Sequence, residues 1–380
     1  MEKADGHNEQ WVDKKLIELA DYWNGMAFKP SDWSDDGVKI IRIEQLNNPL
    51  GDYDYYKGSF PEINAIHDGD LIFSWSATLK VAIWKWGDGV LNQHLFKVVP
   101  FEKIDKHFLY FLLDYNMPKL GESSHGSTMK HIKRKELETY SVKIPTTLST
   151  QRRIAAILTS ADKVIEQTRQ LIGKYKSIKQ GMMEDLLKPK EGWKKVKLGD
   201  VAQTFTGLTY SPSNINSSGT LVLRSSNIKD GRLCFEDNVF VSMDIPERAM
   251  VHEDDILICV RNGSRNLIGK CALITKDAVG MAFGAFMTVL RAITIDPGFL
   301  LFIWQSNGIQ RQVANNIGAT INQITNADFN RFEISVPDLS EQRRIAKILS
   351  GIDRKIEAEE KVLEKYEKMK KGLMERLLKE

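Results

Sequence analysis

The side chains able to do chemistry in this 380-residue sequence are polar loop residues, not a catalytic cluster. In the first half they fall into three groups: Gln45, Asn47 and Asn48; Ser74, Ser76, Thr78 and Lys80; and Ser127, Thr128, Lys130 and His131. The second half offers Arg224, Ser225, Ser226 and Asn227, then Arg261, Asn262, Ser264 and Arg265, then Thr320, Asn322 and Gln323. Arg pairs bidentately with guanine, and Asn or Gln with adenine, whereas Lys, Ser and Thr suit phosphate positioning. Any one of these residues alone is an ordinary solvated side chain. As sets at matching places in two halves, they suit variable surfaces that read DNA.

Constellations for catalysis are missing. There is no Asp/Asn-Pro-Pro-Tyr/Phe tetrapeptide of an amino-methyltransferase. Gly263 to Gly269-Lys270-Cys271 imitates a phosphate loop, with one residue too many and no hydroxyl after the lysine. Pro337-Asp338 with Asp353-Arg354-Lys355 imitates a nuclease, but its second part falls in a helical pattern. His67 and His252 stand beside acidic residues, yet metal binding needs further converging ligands, so structural histidines are expected. Asp70 and Asp255 are expected to hold a turn. Neither a catalytic nor a metal site is expected, nor a cofactor held by this chain. Cys234, Cys259 and Cys271 form no C-x-x-C pair, against a disulfide framework or a cysteine zinc site.

Charge and hydropathy narrow the class further. Net charge is +3, from 53 basic and 50 acidic residues. Residues 151–190 and 341–380 together carry +8, which leaves −5 elsewhere, so DNA contacts outside them must come from local clusters. No apolar run approaches the roughly 18 residues of a membrane span, and residues 1–10 do not resemble a secretory signal. A cytoplasmic location is expected.

The elements that must position the loops come in duplicate. Residues 151–188 align without gaps on 342–379, and 19 of the 38 positions are identical. A fainter repeat precedes them: Trp11, Lys15, Leu16, Ala20, Gly25, Pro30, Gly37 and Arg42 recur 182 residues later, from Trp193 to Arg224. The sequence Ile66 to Leu71 matches Val251 to Ile256. The chain is thus two copies of a globular block followed by a helical segment, with similar helices and diverged blocks.

In the helical segments, Ile157, Val164, Leu171 and Ile178 lie seven apart, as a coiled-coil seam requires. Ile348, Ile356, Leu363, Tyr366 and Leu373 form the corresponding stripe. Ser149 and Ser340 are the expected N-caps, and Pro189 stops the first helix. About 38 residues make a rod of roughly 55 Å. Two such rods in one chain pair most simply antiparallel. Each block mixes short strands with polar turns and reads as α+β with a curved mixed sheet. The boundaries are residues 1–147, a spacer at 148–190, 191–337, and a second spacer at 338–380.

Two halves that each open Trp-x-x-x-Lys-Leu, carry Gly-(Ser/Ala)-Thr at 126–128 and 318–320, and end Leu-Ser-x-Gln-Arg-Arg-Ile-Ala-x-Ile-Leu resemble the specificity subunit of type I restriction–modification systems. The resemblance covers the whole chain. It implies two target-recognition domains, each reading one part of a bipartite asymmetric site on double-stranded DNA. The two helices, as an antiparallel coiled coil, would set the spacing. It also implies two modification subunits that bring S-adenosylmethionine and methylate adenine, and two motor-nuclease subunits that bring ATP and Mg. A coiled-coil scaffold that binds only protein is the alternative reading of the rods, but it leaves the paired polar loops unexplained.

Overall fold

A computed structural model describes residues 10–122, 132, 134–317 and 322–379. The chain divides into two compact units: unit one is Met1–Arg169 with Lys361–Glu380, and unit two is Gln170–Glu360. Each unit therefore takes part of both long helices, Leu148–Leu186 and Leu339–Leu377.

In unit one an antiparallel sheet runs in the order Ala20–Asn24, Leu95–Pro100, Leu71–Ser74, Lys80–Ile83, with Leu71 opposite both Val98 and Ile83. Side chains alternate across a strand, and both faces here are covered. Leu71 and Phe73 join a core with Phe108, Leu112, Ile154 and Leu158, while Ile72 joins Ile41, Trp84 and Leu91 on the other side. Burial on both faces explains why this strand reads as an unbroken apolar run. A second sheet pairs Val38–Ile41 parallel with Gly89–Leu91, and a ribbon joins Trp11–Lys15 to Ser141–Pro145.

Unit two repeats this plan. Its antiparallel sheet is Ala202–Thr206, Met287–Ala292, Ile256–Cys259, Cys271–Leu273, its mixed sheet pairs Thr220–Leu223 parallel with Ala282–Phe283, and its ribbon is Lys194–Lys197 with Glu333–Val336. Ile256 and Ile258 face Phe299, Ile345 and Leu349, whereas Leu257 and Cys259 face Phe283 and Leu223. The expected single curved sheet is thus two sheets and a ribbon in each unit, with a further short ribbon of Ile228–Lys229 and Arg232–Leu233 in unit two, because the central strand buries both faces. Gly25 and Gly207 recur for one reason: a Cβ at either would stand 2.3 or 2.2 Å from the carbonyl oxygen of Asn92 or Gly284.

The repeated Gln-Arg-Arg-Ile-Ala start of each long helix has a local cause. Gln151 Oε1 accepts from Asp105 N at 2.8 Å and its Nε2 donates to Pro145 O. Gln342 does the same with Asp296 N at 2.9 Å and Pro337 O. The caps are not the expected serines: Thr147 Oγ1 accepts from Thr150 N, and Asp338 Oδ1 from Glu341 N. Each cap lies two residues earlier than its serine.

Within each unit the long helices pair antiparallel. In unit one, Asp162 bonds Lys370 at 2.6 Å and Arg169 bonds Glu367 at 2.6 Å. In unit two, Lys176 bonds Glu360 at 3.0 Å and Lys179 bonds Asp353 at 2.7 Å. The seam corrects the expected register. Leu158, Ile165 and Ile172 are buried, while Ile157, Val164 and Ile178 are 40%, 38% and 40% exposed and Leu171 is half-buried. Two neighbouring apolar columns satisfy the heptad equally, and the one that also enters the block cores is the seam. On the second helix Ile356 is buried, and Ile348, Leu363, Tyr366 and Leu373 are half-buried.

Candidate nucleic-acid interface

In unit two the three polar groups meet. The strand Ile256–Cys259 runs out into Val260 and Arg261, and Val260 O accepts from Ile324 N at 2.9 Å, which draws the 322–324 segment alongside. Arg261 and Gln323 form an isolated antiparallel bridge. Asn262 Nδ2 donates to Ser225 Oγ at 3.3 Å, and Asn322 Nδ2 to Gly263 O at 3.3 Å. Lys270 Nζ holds Ser225 O at 3.2 Å. Ser226, Arg261, Ser264 and Arg265 remain exposed beside these contacts. Arg265 also donates to Ala314 O, and Arg224 pairs with Asp237 at 2.8 Å.

Unit one places its groups at the same points. Lys80 Nζ donates to Leu46 O and reaches Asn47 Oδ1 at 3.5 Å, joining the first two groups, and Asn47, Asn48 and Thr78 are exposed. Ile132 N donates to Trp75 O at 2.8 Å, as Ile324 N does to Val260 O. Ser127, Thr128, Lys130, His131 and Thr320 lie outside the described residues.

Four expected contact residues are corrected by burial. Gln45 Nε2 donates to Asp52 O and its Oε1 accepts from Arg42 N, while Asn227 Oδ1 accepts from Arg224 N and its Nδ2 donates to Cys234 O and Asp237 O. They are buried equivalents that shape the loops from inside. Ser74 Oγ is likewise spent on Thr78 O at 2.7 Å, and Ser76 is buried. A side chain that satisfies its own backbone has no free group for a base edge. Sequence reading, for its part, missed Phe286, an exposed aromatic on the turn before Met287–Ala292, over which Arg261 lies. It also missed Trp33, which lies under Arg42 at 4.8 Å.

The acidic and histidine positions hold structure together. Asp255 is buried and takes a two-pronged ion pair from Arg291, at 2.7 and 2.8 Å. Lys97 pairs with Asp70 at 3.1 Å. His67 Nδ1 lies 2.8 Å from Asp88, whose hydrogen bond raises the imidazole above its ordinary pKa, and His252 faces Glu247 at 3.2 Å. Among the described residues no three potential ligands converge on a metal position. Nor is any described helix long and apolar enough to cross a membrane.

Comparisons with known proteins agree with this duplicated architecture. The chain is 25% identical over 399 residues to the type I restriction enzyme MjaVIII specificity subunit of Methanocaldococcus jannaschii, covering 97% of this chain and 92% of that protein. It is 22% identical to the EcoBI specificity subunit of Escherichia coli, covering 90% and 78%. The fold is shared with the crystal structure of a type I S subunit from M. genitalium, at a TM-score of 0.63 and 15% identity over 100% of this chain and 98% of that one. Residues 8–174 and 190–368 each match the type I restriction modification DNA specificity domain, and the chain belongs to that family.

Proposed function

We propose that this chain reads a bipartite, asymmetric DNA site for a type I restriction–modification complex, one part with each unit. The observation that carries this reading is that the two units present polar residues at equivalent points of one scaffold, but of different kinds. In the loop after the parallel strand unit one exposes Asn47 and Asn48 where unit two exposes Ser226, and in the loop after the central strand unit one exposes Thr78 where unit two exposes Arg261, Ser264 and Arg265. A shared frame with diverged tips is what two half-sites of different sequence require.

The long helices set the distance between half-sites and dock the modification subunits. Ile157, Val164 and Ile178, with Val362 and Met369 on the second helix, stay exposed at heptad spacing and suit a partner's apolar helix face. In this reading two modification subunits supply S-adenosylmethionine and two motor-nuclease subunits supply ATP and Mg, while this chain contributes recognition without catalysis. The complex acts in the cytoplasm.

Methylation mapping tests the proposal. The chain is co-expressed with its modification subunit in a methylation-free host, and N6-methyladenine is located by single-molecule sequencing. A split motif with a fixed gap is expected, and one heptad inserted into the first long helix should change that gap. A complex that forms but methylates without sequence preference overturns the reading. A chain that binds neither the modification subunit nor DNA returns the helices to a scaffold role.

A further inference from the structure

We propose that Phe286 is a positioning residue for Arg261, and that the two act as one guanine-reading unit in the half-site assigned to unit two. The inference rests on the DNA-reading function proposed above. Phe286 is 57% exposed, unusual for a large aromatic side chain, and Arg261 lies over its ring with the guanidinium carbon 5.1 Å from the centroid. No carboxylate pairs with Arg261 among the described residues. Its charge is therefore held by a ring face and not neutralised.

The tip that carries the ring is rigid. Phe286 O accepts from both Val260 N and Arg261 N, at 3.0 and 3.2 Å, so the aromatic turn and the arginine are tied together through backbone. Ala285 N donates to Leu208 O and Met287 N to Gly284 O. Gly207 admits this close approach, since any Cβ there would collide with Gly284 O. The ring also borders a cavity of about 580 Å³, with Tyr210, Arg224 and Ser225 among its walls, so packing does not explain the aromatic. An exposed arginine ordinarily loses rotamer freedom when it binds, and a ring that holds it beforehand lowers that cost. The guanidinium fork fits guanine O6 and N7 bidentately. Unit one lacks the device: strand register puts His94 and buried Ser76 at the places of Phe286 and Arg261.

The test compares methylation motifs of the whole complex carrying R261A, F286A, F286L or F286Y, with thermal melts of each variant. Phe286→Leu keeps apolar bulk and removes the ring, so it serves if the alanine variant melts early. R261A, F286A and F286L should each relax the same single base position, with discrimination there falling by roughly tenfold for R261A. Phe286→Tyr should keep the motif, and the other half-site should not change. Relaxation at different positions, or an unchanged motif in either R261A or F286L, overturns the inference. If the unsubstituted chain yields no split motif, the DNA-reading function itself fails.

Discussion

Lys370 closes on Asp162 at 2.6 Å with its ammonium over the Phe111 ring, and the equivalent lysine, 191 residues earlier, repeats the arrangement with exchanged helices. Lys179 lies over Phe302 and bonds Asp353 at 2.7 Å, and Phe302 and Asp353 are each 191 residues beyond Phe111 and Asp162. In unit one the first helix gives the acid and the second the base. In unit two the roles are reversed.

Because Lys370 is mostly buried against an aromatic face, its loss should be felt more than that of a surface ion pair. Lys370→Met is expected to destabilise unit one by about 1–2 kcal/mol, between exposed and buried pairs. A double-mutant cycle with Asp162→Asn by urea denaturation should return a coupling of about 1 kcal/mol. Simple addition of the two effects would show that the contact contributes nothing.

Asp114 shares that neighbourhood, and burial pushes its carboxyl above the ordinary range, with Asp162 adding to the shift and Lys370 opposing it. A raised carboxyl favours the protonated fold. Its contribution is complete below the unfolded pKa of about 3.9 and is lost as pH rises through the folded value. Asp114→Asn should therefore stabilise unit one at pH 7 and make little difference near pH 3.5. Urea midpoints at the two pH values check this, and a larger gain at the acidic end would reverse the assignment.

Asp255 is only 1% exposed in its side chain and depends on Arg291 for charge and for two hydrogen bonds. Arg291→Ala leaves that carboxylate buried and unpaired, at a cost of about 3–5 kcal/mol. Lysine cannot reproduce the two-pronged geometry, so Arg291→Lys should recover only part of the loss. Thermal unfolding of the two variants distinguishes these outcomes.

The seam of the first long helix makes a paired prediction. Leu158→Ala opens a cavity in a fully buried site and should cost about 2–5 kcal/mol. Ile157→Ser, one residue earlier and exposed, should change stability by less than about 0.5 kcal/mol. That variant should instead weaken co-purification with the modification subunit. Equal destabilisation by both would restore the register expected from heptad spacing.

The duplication, the two long helices and their antiparallel pairing were legible because they rest on identity and period. Leu71–Ser74 and Ile256–Cys259 were legible as apolar runs. Trp11–Lys15 was not, since its Asp and two Lys residues suggest a loop and only pairing with Ser141–Pro145 makes it a strand. The polar loops could be located but not sorted. Gln45 and Asn47 are two residues apart, yet one is buried on its own backbone and the other exposed. That sorting depends on how a short turn folds back. Phe286 escaped notice because an aromatic beside a strand normally signals core.

Unit one is assembled from both ends of the chain, and that imposes an order on synthesis. Unit two is continuous from residue 170 to 360 and has all of its own residues once that stretch leaves the ribosome. Unit one, although begun first, lacks Met374 and Leu378 from its core until the final helix has emerged. A nascent chain interrupted just after residue 360 would thus carry a finished second reader and an unfinished first one. Its exposed core would mark it for chaperones and proteases before it could join a partner with half a recognition site.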